Sequence, residues 1–258
     1  MTYGMQKRKP ALIIGRQPVM EALRSGQLIE RIFLQRNAGG PAVQELLQLA
    51  DEQQVPVNRV PAEKLNSMSG AYRRPGTVNH QGCIAIGGLV RYLDLQDVIS
   101  HVVEQGKVPL FLLLDAITDV RNIGAIARSA VCCGAQALIL PDKGVAPLNE
   151  EAVKSSAGAF AKIAVCRVDS LLKAVDLLHL NGISVAASEM KADAPLHKCD
   201  LRMPVAVIMG SEDKGVHPSL LKATDIVFKI PMAGDFESFN VSVAAGIILY
   251  EAMKQRME

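Results

Sequence analysis

Three loops in the later part of this 258-residue chain hold the side chains best suited to chemistry. The first, Asp115 to Ala130, follows the apolar run Leu110–Leu114 and carries Asn122 and Arg128. Asn122 is placed to cap a helix, with Arg128 one and a half turns inside it. Ala125, Ile126, Ala127, Ser129 and Ala130 surround Arg128, which predicts close packing around an arginine that then needs an anionic partner. The second loop, Val207 to Val216, contains Gly210, Glu212 and Gly215. Gly210 permits close backbone approach and Gly215 a positive φ, so exposed amides there can meet a ligand. The third, Ile230 to Gly246, holds Met232, Ser238, Phe239 and Asn240 ahead of a long apolar segment. Ser242, Ala245 and Gly246 form a small-residue face against which another backbone can pack closely. Each loop also has a plainer reading: an N-cap with a surface arginine, a polar turn, and a cap at Ser238 or Asn240. No GxxxxGKS/T loop is present and no GxGxxG follows a strand, which excludes a phosphate loop and a Rossmann dinucleotide site.

The elements that must position these loops alternate. Apolar runs predict strands at Leu110–Leu114, Ala137–Leu140, Ile163–Cys166, Ile183–Ala187, Val205–Met209 and Ile226–Ile230. Helical spacing fits Ile123–Cys132, Asn149–Ser156, Ser170–Leu180, Pro218–Lys222 and Val241–Arg256. Apolar strands separated by helices imply a mostly parallel sheet covered on both faces, with ligands beyond the carboxyl ends of its strands. The three loops sit at three such ends. Upstream, Ala11–Ile14, Arg31–Gln35, Val55–Val60 and Cys83–Ile86 read as strands, and Pro18–Arg24, Pro41–Gln53 and Pro61–Met68 as helices. Gly87-Gly88 and the polar stretch after them mark a linker. This gives a small α/β module over residues 1–88 and a larger α/β domain over 89–258.

Composition narrows the function classes. With 49% hydrophobic and 21% charged residues, the chain is a folded protein with an ample core. Apolar runs as short as Pro109 to Leu114 cannot span a membrane, and no apolar h-region follows Lys7, Arg8 and Lys9. Cys83, Cys132, Cys133, Cys166 and Cys199 are odd in number and lack a CxxC pair. A disulfide framework and a zinc cluster are therefore not expected, and a reducing cytoplasm is the default. Cys132-Cys133 reads most simply as core. His80, His101, His179, His197 and His217 show no ligand spacing, so no metal is implied. The net charge of +2 argues mildly against nucleic acid, but it is a sum of unlike parts. Residues 1–90 hold 11 Lys+Arg and 6 Asp+Glu, and residues 91–258 hold 17 and 20. A basic module on an acidic body is compatible with an RNA partner, and equally with ordinary surface scatter.

In order and separation, the three loops resemble the three signature motifs of the SpoU (TrmH) family of RNA ribose 2′-O-methyltransferases. Ile14-Gly15-Arg16, Val19 to Leu23 and His80-Gln81-Gly82 are similar to that family's substrate-binding domain, which is like ribosomal protein L30e. Pro147-Leu148-Asn149 and Lys154-Ser155-Ser156-Ala157-Gly158-Ala159 fit as well. The resemblance covers nearly the whole chain. It is greatest for the subgroup that methylates a guanosine ribose in the peptidyl-transferase region of 23S ribosomal RNA.

The resemblance implies a SPOUT fold with a C-terminal trefoil knot, a homodimer with sites built from both subunits, and S-adenosylmethionine held in the knot. By position it assigns Gly210, Ile230, Met232 and Phe239 to the cofactor; Phe239 stands where leucine is more usual. Arg128 matches the arginine proposed to act on the ribose 2′-hydroxyl, with Asn122, Glu212, Ser238 and Asn240 orienting it and the ribose. A guanidinium keeps its proton up to about pH 12, so phosphate positioning and stabilisation of the developing alkoxide suit Arg128 better than a base. Arg16, Arg73, Arg74 and Lys154 are the candidates for RNA contact. Methylation of transfer RNA, or RNA binding without catalysis in ribosome assembly, are the competing readings.

Overall fold

A computed structural model describes residues 12–70, 79–234 and 238–257. Arg73 and Arg74, and Asp235 to Glu237 in the third loop, lie outside the described residues. The chain divides between Arg91 and Tyr92 into two compact units.

The first unit runs β1 (Leu12–Ile14), α1 (Arg16–Arg24), β2 (Ile29–Gln35), α2 (Pro41–Glu52), β3 (Val57–Val60), α3 (Ala62–Ser69) and β4 (Cys83–Gly87). Its sheet has the order β1-β4-β2-β3. β4 lies antiparallel to β1 and β2, while β2 and β3 are parallel. Leu34 of β2 faces Cys83 on one side and Arg59 on the other, so the carboxyl ends of β1, β2 and β3 share one edge with the start of β4. Val19 and Leu23 of α1, Leu46 of α2, and Ile32 and Leu34 of β2 are fully buried together. The first helix starts at Arg16, ahead of the expected Pro18, because a proline in the first turn forfeits no helical hydrogen bond.

Among its described residues the second unit holds six strands, all parallel: β5 (Leu110–Leu114), β6 (Ala137–Pro141), β7 (Ala164–Val168), β8 (Ser184–Ser188), β9 (Val205–Met209) and β10 (Ile226–Phe228). Their order is β10-β8-β9-β5-β6-β7. Every residue of β5 and β9 is buried, as expected for central strands covered on both faces. The covering helices are α4 (Leu95–Glu104), α5 (Val120–Cys132), α6 (Glu150–Ser155), α7 (Leu171–Leu180), α8 (Pro218–Leu221) and α9 (Val241–Met257).

Two expectations need correction. The polar stretch after Gly88 is not all linker, since it contains α4. Asp94 caps that helix by accepting the Asp97 N–H, and Leu95, Val98, Ile99 and Val102 bury its apolar stripe. Cys132 is exposed and Cys133 half-buried, so the pair is not core; Cys132 ends α5 and Cys133 is its C-cap.

Two close fits fix the helices around the loops. A β-carbon at Gly124 in α5 would overlap Ser155 Oγ and the Ala152 carbonyl oxygen of α6, so this crossing needs glycine. At the far end of α9, Arg256 donates from Nε to the Leu201 carbonyl at 2.9 Å. Its Nη1 reaches Val108 O at 2.9 Å, and its Nη2 reaches Pro109 O at 2.9 Å and Met203 O at 2.8 Å. One guanidinium therefore ties the end of the chain to the entrances of β5 and β9.

Candidate active site

The three loops converge on Glu212. Its Oε1 accepts from Asn122 Nδ2 at 3.1 Å, from Asn240 Nδ2 at 2.6 Å and from the Val241 N–H at 3.4 Å. Asn240 Nδ2 also reaches Asn122 Oδ1 at 3.2 Å. One residue from each loop thus meets in a single network, although Asn122 and Asn240 lie 118 positions apart.

Local sequence explains each placement. Asp119, not Asn122, caps α5 by accepting the Arg121 N–H at 2.7 Å. That corrects the sequence expectation and leaves the Asn122 amide free to reach Glu212. Glu212 stands on a tight loop closed by reciprocal backbone bonds between Ser211 and Gly215, where Gly215 has φ +65°. A β-carbon at Gly210 would overlap the backbone of Gly215 and Val216, so the loop folds back only because that side chain is missing. Asn240 caps α9, accepting from Ser242 N at 3.0 Å and Ser242 Oγ at 2.6 Å. The plain reading of Asn240 as a cap and its place in the network hold together: Oδ1 caps while Nδ2 donates to Glu212. Small residues on α9 serve the same end, for a β-carbon on Gly246 would sit 3.7 Å from Ser129 Oγ of α5.

Arg128 is not in this network. It is exposed, with no hydrogen bond or ion pair among the described residues, which corrects the expectation of close packing around it. Helix geometry gives the reason: positions i and i+4 share a face, so Arg128 lies on the side of Gly124, toward α6. Asn122 and Ser129, seven apart, lie on the side of α9. Lys154 of α6 is likewise exposed. Ser238 is exposed and makes no hydrogen bond among the described residues.

Ile230 and Phe239 line one open groove of about 590 Å3, together with Leu196, Val243, Ile247 and Tyr250. Met232 is exposed on the adjoining loop and does not line it, and neither does Gly210. The groove wall is predominantly apolar, and Asn240, next in the chain to Phe239, donates to the Glu212 carboxylate. Among the described residues no group of three or more metal-ligating side chains converges. In the first unit, the guanidinium of Arg16 rests on the His80-Gln81-Gly82 turn, Nε donating to Gln81 O at 2.8 Å. The pairing of β5 with β9 sets the loops that carry Asn122 and Glu212 side by side, and the return of α9 onto α5 adds Asn240.

Comparison with known proteins agrees with this geometry. Residues 109–250 match the model of the SpoU rRNA methylase family, and residues 12–92 match that of the RNA 2′-O ribose methyltransferase substrate-binding domain. The chain is 32% identical to YacO of Bacillus subtilis (strain 168), a TrmH family protein named for tRNA/rRNA methylation, over 95% of each chain. A crystal structure of an RNA 2′-O ribose methyltransferase aligns at TM-score 0.55 with 25% identity, covering 96% of this chain and 89% of that one. The SpoU methyltransferase AviRb of Streptomyces viridochromogenes, solved with AdoMet, aligns at TM-score 0.60 with 24% identity over 95% and 90%, and shows the same fold. Three loops gathered on one carboxylate at the carboxyl ends of a parallel sheet, and a family match spanning both units, lead to one conclusion: the chain belongs to the SpoU (TrmH) family of RNA methyltransferases.

Proposed function

We propose that this protein methylates the 2′-hydroxyl of a guanosine ribose in 23S ribosomal RNA, using S-adenosylmethionine. Membership of the family carries the broader activity, RNA ribose methylation from that donor. The single observation that carries the assignment of the site is the junction of Asn122, Glu212 and Asn240 on one carboxylate oxygen.

The residues present fit the donor. Ile230 and Phe239 offer apolar cover for an adenine ring or a methionine chain, and the Glu212 carboxylate suits a neighbouring sulfonium cation. Gly210 serves by letting the loop close on itself, and Met232 extends the apolar margin. S-adenosylmethionine supplies an electrophilic methyl group. The chain's own part is alignment of the hydroxyl and management of its proton. Glu212 uses Oε1 to fix Asn122, Asn240 and the start of α9 in one arrangement. Arg128, exposed and without an anionic partner of its own, is suited to gripping the RNA phosphate and stabilising charge on the ribose oxygen. Ser238 is a further hydroxyl for the ribose.

The separation of Arg128 from the Glu212 network supports a site completed by a second subunit. So does the apolar face of α9, where Val243 is 49% and Tyr250 58% exposed. We read the C-terminal segment as knotted, because the chain returns over α5 and is pinned by Arg256 beside β5 and β9. Residues 1–88 serve as the RNA-binding domain, with Arg16, Arg73 and Arg74 contributing, and Lys154 contacting RNA from the larger domain. Among the described residues no helix is long and apolar enough to cross a membrane, and the cytoplasm is where such an RNA is met. Deletion of the gene followed by mapping of 2′-O-methyl groups across ribosomal and transfer RNA tests the substrate. Loss at one 23S guanosine is expected; loss in transfer RNA alone would move the assignment there.

A further inference from the structure

The loop that presents Glu212 leaves β9 after Met209 and turns back at His217, and one residue of the neighbouring strand end binds both of its limbs. Asp115, the first residue past β5, is half-buried and donates its backbone N–H to the Met209 carbonyl at 2.9 Å, on the outgoing limb. Its side-chain Oδ2 accepts the His217 N–H at 2.8 Å, on the returning limb. Between the limbs the loop closes on itself. Ser211 N donates to Gly215 O at 3.1 Å, Gly215 N to Ser211 O at 2.9 Å, and Lys214 N to Ser211 Oγ at 3.2 Å. Val216 is buried, which also holds the returning limb down. Apolar burial is non-directional, whereas a hydrogen bond fixes where along the sheet edge that limb lies.

Asp115 is itself held by the chain around it. Ala116, the next residue, has φ +55°, a conformation that a residue with a β-carbon keeps only where its neighbours impose it. Both neighbours are anchored here. Asp115 is bonded to Met209 and His217, and Ile117 is buried with its carbonyl accepting the Ala146 N–H at 2.9 Å. The turn between these anchors opens the loop that goes on to Asn122 and Arg128. Oδ1 of Asp115 makes no hydrogen bond among the described residues. The contact with His217 therefore needs one well-placed acceptor oxygen, which an amide supplies as well as a carboxylate.

We infer that Asp115 is a positioning residue for methyl transfer: it clasps both limbs of the 210–216 loop and so sets where the Glu212 carboxylate meets Asn122 and Asn240. Without the side-chain bond the returning limb is free to pivot about the remaining bond to Met209, and Glu212 Oε1 moves away from the two amides. Asp115 acts through Glu212 and in this role touches neither the methyl donor nor the ribose. The inference rests on the RNA-methylating function proposed above.

The test is a double-mutant cycle on the full chain, read by methyl transfer from labelled S-adenosylmethionine to 23S RNA and by amide exchange across residues 211–217. Asp115→Ala should lower kcat about tenfold, with the KM for RNA near wild type, and should speed exchange of the His217 amide and the loop before it. Asp115→Asn keeps the acceptor oxygen in place and should bring kcat to within about threefold of wild type. Asp115→Glu keeps the charge but carries it one methylene further, so it should lose about fivefold in kcat; it holds the test if the alanine variant does not fold. In a Glu212→Ala background, Asp115→Ala should lower kcat by less than about twofold more, because nothing is left for it to position. Asp200→Ala, which removes a surface carboxylate paired with Arg202, should change none of these. A full tenfold loss in the Glu212→Ala background, or an aspartate-to-glutamate variant more active than the asparagine one, would overturn the inference while leaving the methylation reading intact. So would wild-type kcat and exchange in Asp115→Ala. If the wild-type chain transfers no methyl group yet exchange quickens in Asp115→Ala and recovers in Asp115→Asn, the clasp stands and the activity falls.

Discussion

Asn240 Nδ2 donates to Glu212 Oε1 at 2.6 Å, and through that bond the cap of the last helix is joined to the loop after β9. Asn122 Nδ2 reaches the same oxygen from α5 at 3.1 Å. The site is organised around a carboxylate that three parts of the chain must share. Glu212→Ala would leave both amides without their acceptor and let the loops separate. We expect kcat to fall about 100-fold, the scale set by misplacement near 1 Å, with the KM for RNA near wild type. Glu212→Gln retains an acceptor oxygen and should retain much of the activity. Steady-state methyl transfer from labelled S-adenosylmethionine measures both.

Gly210→Ala tests the loop itself. A β-carbon there meets backbone rather than a flexible side chain, so the loop must open to admit it. Titration calorimetry should show loss of S-adenosylmethionine affinity, and thermal unfolding a destabilisation of about 1–3 kcal/mol.

Gly124→Ala separates helix packing from chemistry. The added methyl overlaps Ser155 Oγ and the Ala152 carbonyl, forcing α5 and α6 apart. A loss of about 2 kcal/mol is expected by denaturant unfolding. Adding Ser155→Ala should recover only part of it, since the carbonyl clash remains.

Arg256→Met removes one side chain that satisfies four carbonyls. Hydrogen bonds from a charged group each contribute more than neutral ones, and the carbonyls left behind are partly buried. Chemical denaturation should show a loss of about 3 kcal/mol, and the end of α9 should lose amide-exchange protection first.

Thiol chemistry gives a pH-dependent check. Burial pushes the Cys83 thiol up to about 12, partly offset by Arg16, and burial pushes Cys166 to about 12 as well. Both therefore favour the folded state fully below the ordinary thiol value of 9.0, and that contribution fades as pH rises from there toward 12. Exposed Cys132 should react with iodoacetamide first at pH 8, while Cys83 and Cys166 react only on unfolding. Mass spectrometry of labelled peptides reads the order.

Much of this was legible in sequence because local patterns set it. The apolar runs at Leu110–Leu114 and Val205–Met209 give the central strands, and glycine at 210 and 215 gives the loop between them its shape. Helix α4 was obscured by its charged neighbours Arg91, Asp94 and Asp97, although its buried stripe has ordinary helical spacing. Sequence alone does not separate Asn122 from Asp119 as the cap of α5, because both residue types suit the role and Asp119 lies earlier. The bond from the His217 N–H to Asp115 and the four carbonyls on Arg256 had no sequence signature at all. They depend on chain segments that meet only after the sheet has formed.

Ribose methylation by this protein is expected to depend on Arg128. The direct measurement incubates purified chain, tritiated S-adenosylmethionine and unmodified 23S RNA, then identifies labelled products after alkaline hydrolysis. A 2′-O-methyl group protects the adjoining phosphodiester, so the label should emerge in one alkali-resistant dinucleotide beginning with guanosine. Arg128→Ala should reduce that label to background while binding S-adenosylmethionine as tightly as wild type. Label released as an ordinary mononucleotide would rule out ribose methylation, and undiminished transfer by Arg128→Ala would rule out the role of that arginine.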